Sequence, residues 1–100
     1  MDHDIDKIKV EFHSRAQRAM FTVYQNLVHN LSAVNRQGNE GVYQQSISRY
    51  CSQFRQQLQH IVKDIMNGVG TNLDPIVLNR TLTFLCEDYE RAFMQKIRSL

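Results

Sequence analysis

Residues 5–27 read IDKIKVEFHSRAQRAMFTVYQNL, and the spacing of their apolar side chains decides the fold. Ile5, Ile8, Phe12, Ala16, Ala19, Val23 and Leu27 recur at steps of three and four, close to the roughly 3.6-residue turn of a straight α-helix, and Val34 extends the series. Ser14-Arg15-Ala16-Gln17 has the S-x-x-Q form of a capping box and leaves open a break there, but the unbroken phase from Phe12 to Ala19 favours one continuous helix. Asp2, Asp4 and Asp6 stand where carboxylates favour the helix macrodipole, and the polar run from Asn35 to Gly41, with two glycines, supplies stop signals. A first helix is expected over about residues 4–34.

Two more helices follow by the same logic. Tyr43, Ile47, Tyr50, Phe54, Leu58, Ile61 and Ile65 predict a second over about residues 42–67. Its other faces are rich in Gln and Ser, a polar surface that costs less to desolvate against a partner than one crowded with charge. After the connection from Gly68, Asp74 is a natural N-cap and Pro75 a natural first helical residue, where a missing N–H costs nothing. Leu78, Leu82, Leu85, Tyr89, Phe93, Lys96 and Leu100 then form one stripe over about residues 75–99, with Lys96 laying its stem along the apolar face.

Composition sets the outer limits. A chain of 100 residues, 42% apolar and 22% charged, with four Gly and one Pro, suits one folded domain of residues 1–100. No apolar run approaches the roughly 20 residues of a membrane span, and the start lacks the basic and apolar regions of a secretory signal. Cys51 and Cys86 are too few for a disulfide framework, so the chain reads as one for a reducing cytoplasm or nucleus. The expected architecture is all-α: an elongated antiparallel up-down-up bundle of three long helices, about 40 Å in length. Its interior is thin enough that oligomerisation could complete it with a fourth helix.

The residues that miss the stripes carry the functional expectation. At about 100° per residue, Val10, Phe21 and Val28 share one angle of the first helix, roughly opposite its main stripe, with Tyr24 nearby. Val77 and Phe84 likewise leave the stripe of the third. Aligned large apolar groups of this kind suggest a buried contact with a protein partner or a second copy, a dimer being favoured, unless both helix faces are covered within the chain itself.

Chemistry finds little footing. No serine lies in a G-x-S-x-G elbow, neither cysteine has a nucleophile signature, and His3, His13, His29 and His60 show no metal-ligand spacing, so neither enzyme activity, cofactor nor metal is expected. Glu87, Asp88 and Glu90 stand among Arg91 and Lys96, as solvated helix pairs do. Gly68-Val69-Gly70 lacks the ending of a phosphate loop and follows a helix rather than a strand. Although the pI is about 8.7, charge is spread along the chain without a dense basic stripe, so nucleic-acid binding is disfavoured; Lys7, Arg15 and Arg18 would be its best phosphate contacts.

One motif points elsewhere. His60-Ile61-Val62-Lys63, followed by Gly70 and Leu73, resembles the H-x-x-K core of histidine phosphotransfer domains, which are small helical bundles with an exposed histidine on a long helix. The resemblance implies that His60 accepts a phosphoryl group and that Lys63 offsets its charge. It spans residues 60–73 and departs at Asp64, where the family has a small glycine. The leading expectation remains a non-enzymatic assembly module that acts through helix packing.

Overall fold

A computed structural model describes residues 2–32, 40–68 and 73–99, with side chains described from Ile5 onward. It contains three helices, α1 (Asp2–Ser32), α2 (Glu40–Gly68) and α3 (Pro75–Arg98), and no strand among the described residues. The protein is an all-α bundle.

α1 passes through Ser14 without a break, because Phe12, Ala16 and Ala19 are all buried and only a continuous helix keeps them on one side. Val34 and most of the polar stop between the first two helices lie outside the described residues. α2 begins at Glu40, two residues ahead of the expected start. A carboxylate suits the first turn of a helix, and Glu40 Oε1 accepts a hydrogen bond from Gln44 Nε2 at 3.1 Å. Gly41 lies inside this turn rather than ending the loop. α3 starts as its sequence dictates: Asp74 Oδ1 accepts from the Ile76 N–H at 3.0 Å, and the Asp74 carbonyl accepts from the Leu78 N–H at 3.0 Å.

Cross-helix contacts fix the order of packing. Arg15 meets Asp64 and Asn30 meets Tyr50, so α1 and α2 are antiparallel. Arg55 meets Glu90 and Cys51 meets Met94, so α2 and α3 are antiparallel too. His13 meets Tyr89 and Lys96 meets Tyr24, leaving α1 and α3 parallel in an up-down-up bundle. The α1–α2 interface is the most extensive and the α1–α3 interface the sparest.

Phe12, Phe54 and Phe93 are the largest fully buried side chains, with Leu27, Leu58, Leu82 and Val23 filling between them. Phe54 and Phe93 stack at a tilt of 32° with centroids 4.7 Å apart. No polar side chain is buried among the described residues. Along α3 the core line runs Leu78, Leu82, Tyr89, Phe93 and Ile97, with Leu85 half-buried. Ile97 thus takes the place expected of Lys96. Both follow Phe93 within one turn, and burial rewards the isoleucine while the ammonium keeps to solvent. Leu100 lies outside the described residues.

The molecule measures 55 × 18 × 18 Å with a radius of gyration of 16.1 Å, against about 13 Å for a compact globule of this length. It exceeds the expected 40 Å, a length that a helix of 31 residues, at about 46 Å, already surpasses.

Candidate interaction surfaces

The off-stripe residues divide into two groups. Val10 and Phe21 on α1, and Val77 and Phe84 on α3, are 68%, 62%, 49% and 60% exposed. On α1, His13 and Tyr24 mark the flank towards α3, and Arg15 and Asn30 the flank towards α2. Val10 and Phe21 project roughly 50–70° beyond the α3-facing pair, outward and away from α2. On α3, Val77 and Phe84 stand midway round the outer side, between the flank facing α1 and the flank facing α2. Phe84 also lines a shallow groove with Ile76 and Met66.

Tyr24 and Val28 are more covered than these four. Tyr24 is half-buried and packs against the core, with Lys96 Nζ 4.9 Å from its ring centroid. Its position on the flank towards α3 gives a long side chain a covered seat that Phe21, one turn earlier and further round, does not have. Val28 is half-buried as well.

His60 is 72% exposed on α2, and its Nε2 lies 3.5 Å from Asp64 Oδ2. The same carboxylate oxygen accepts from Arg15 Nη2 at 3.0 Å. That hydrogen bond holds Asp64 below the usual carboxylate range, helped by the charges of His60, Arg15 and Lys63. The residue that replaces the family's glycine therefore stands as a carboxylate beside the imidazole. Lys63 is exposed, Leu73 packs half-buried against the core, and Gly70 lies outside the described residues.

Three arrangements escaped the sequence. His13 Nδ1 and the Tyr89 hydroxyl share a hydrogen bond of 2.7 Å, with the Phe12 ring edge-on to Tyr89 at 5.8 Å. Burial pushes the Tyr89 phenol up from its ordinary value, while a hydrogen bond to Gln17 lowers it. Cys51 Sγ donates to Met94 Sδ at 3.3 Å, and burial, reinforced by Glu90 and Glu87, pushes the Cys86 thiol up to about 11. Burial pushes the Cys51 thiol up as well, against the charge of Arg55, so the thiolate is disfavoured at both positions.

The third is a groove between α1 and α2. Arg15, Arg18, Thr22, Gln56, Gln57 and His60 line one end. Asn26, His29, Asn30, Arg49 and Ser52 line the other, and Gln53 and Gln56 belong to both. Among the described residues no carboxylate lines either part. Asp64 pairs with Arg15, one of the residues at the first end.

Among the described residues no group of three or more His, Cys, Asp or Glu could hold a metal ion, and no helix is long and apolar enough to cross a membrane. Comparison of the chain with known protein families, with curated proteins and with solved structures found no match.

Proposed function

We propose that this chain is a non-enzymatic assembly module of the cytoplasm, which self-associates, as a dimer in the simplest case, by packing the outer sides of α1 and α3. The observation that carries this reading is the exposure of Phe21 and Phe84, each about three-fifths open to solvent on helices whose cores are already filled by other residues. Aromatic side chains contribute most of the binding energy in many interfaces, so two such rings are the anchors that a partner would cover. Val10 and Val77 extend the two patches.

Solution mass tests it. Light scattering across a wide concentration range in reducing buffer is expected to show a mass that rises above one chain, and Phe21→Glu is expected to hold the folded chain monomeric. A buried glutamate without a partner costs several kcal/mol, about 2 or more, enough to weaken the association by more than about tenfold. A wild-type chain that stays monomeric at every concentration overturns self-association. Assembly unchanged in a folded Phe21→Glu overturns the assignment of the site. Acid-labile phosphorylation lost in His60→Gln would favour the phosphotransfer reading instead.

A further inference from the structure

We infer that the α1–α2 groove is a docking site for an extended acidic segment of a partner protein, one whose carboxylates fall in two groups about five residues apart. This surface lies on a different side of the bundle from the apolar patches of α1 and α3 and stands independently of them.

Charge complementarity carries the argument. Guanidinium groups stand at the two ends of the groove, Arg18 beside His60 at one and Arg49 beside His29 at the other. Arg18 and Arg49 make no ion pair among the described residues, whereas Arg15 and His60 both already face the Asp64 carboxylate. Between the ends lie the neutral amides Gln53 and Gln56, with Asn26 beside His29, each able to donate and accept at once. At about 1.5 Å per helical residue, Arg18 and His29 are about 16 Å apart, a distance that about five residues of extended chain cover at about 3.3 Å each. An extended peptide would set a carboxylate at each end against an arginine and its backbone N–H and C=O groups against the amides.

A nucleic-acid strand fits less well. It carries a phosphate on every nucleotide, and the middle of this groove holds no cation to meet one. Single-strand binders also offer open aromatic faces for bases, whereas the aromatic lining here is Tyr50, half-buried and already accepting from Asn30 Nδ2 at 3.0 Å.

The experiment uses the full chain, labelled with nitrogen-15, and the synthetic peptide acetyl-EEGSGEE-amide at low salt. Expected are chemical-shift changes centred on Arg18, Asn26, Arg49 and Gln53, and an affinity that falls about tenfold or more in the double variant Arg18→Glu, Arg49→Glu. The scrambled peptide acetyl-GEEEEGS-amide, with its carboxylates together, is expected to bind more weakly. Both arginines lie on the exposed surface, and the far-ultraviolet circular dichroism of the variant checks that it folds; should it not, Arg18→Gln with Arg49→Gln replaces it. No shift at millimolar peptide, shifts that map to α3, or binding unchanged in the folded variant would each overturn the proposal. Tighter binding by an oligothymidylate of equal charge would overturn it in favour of a nucleic acid.

Discussion

Tyr89 belongs to the core by its ring and to the surface by its hydroxyl. The ring packs against Phe12, and the hydroxyl meets His13 Nδ1 at 2.7 Å, joining two helices whose contact is otherwise sparse. Tyr89→Phe keeps the ring and removes the hydrogen bond, so the chain is expected to lose about 1 kcal/mol of stability in a urea titration. Unchanged stability would show that water serves His13 equally well. Cys86 gives a second prediction at this scale. Its thiol ionises in the folded chain only at about 11, against an ordinary value of 9.0, so the unfolded chain takes the charge first. Its contribution to stability is complete below about pH 9 and falls as pH rises from there towards 11, and Tyr89 adds to the loss from about pH 10 upward. Urea midpoints measured between pH 8 and 10.5 should decline, and less steeply in Cys86→Ala. The sequence put Tyr89 in the core stripe, yet its partner was invisible: the two residues are 76 positions apart, and periodicity reports only which side of its own helix a residue occupies.

At the scale of the helix, legibility followed the strength of local chemistry. The start of α3 was readable to the residue because Asp74 and Pro75 act on the backbone groups beside them. Asp74→Ala should therefore cost about 1 kcal/mol, read as a lower urea midpoint with the helix content of the folded state retained. α2 starts two residues ahead of the expected position: Gly41 resembles a loop residue, whereas the Glu40 carboxylate favours a helix N-terminus. The exchange of Lys96 for Ile97 has a similar origin. A stripe built on steps of three and four offers two continuations at each turn, and only the neighbouring helix decides between them. The α1–α2 groove is the clearest case of what one helix cannot reveal. Arg18 and Arg49 are separated by a full helix hairpin, so no linear window contains the pair, and a chain without a dense basic stripe can still set its cations along one cleft.

At the scale of the molecule, the up-down-up order was legible from three long amphipathic segments joined by short connections, whereas the unequal interfaces were not. α2 touches both neighbours extensively, and α1 and α3 touch each other least. Apart from the hydroxyls of Tyr43 and Tyr89, the buried stripes are apolar among the described residues, so they attract with little to specify registration. Alignment then falls to the edge contacts, His13 with Tyr89, Asn30 with Tyr50 and Arg15 with Asp64, each of which commits one helix to a height along its neighbour.

That imbalance has a kinetic consequence. α3 shares less contact with the rest than either other helix, while α1 and α2 form the stronger hairpin. Backbone amides of α3 should exchange with deuterium sooner than those at the centres of α1 and α2, as the third helix peels away and recloses while the hairpin persists. Uniform protection across the three helices would instead mean that the bundle opens only as a whole. Where peeling occurs, the side of the hairpin that α3 leaves is the seat that a helix from another chain can occupy, so exchange of α3 between molecules is a route to assembly that the folded surface alone does not display.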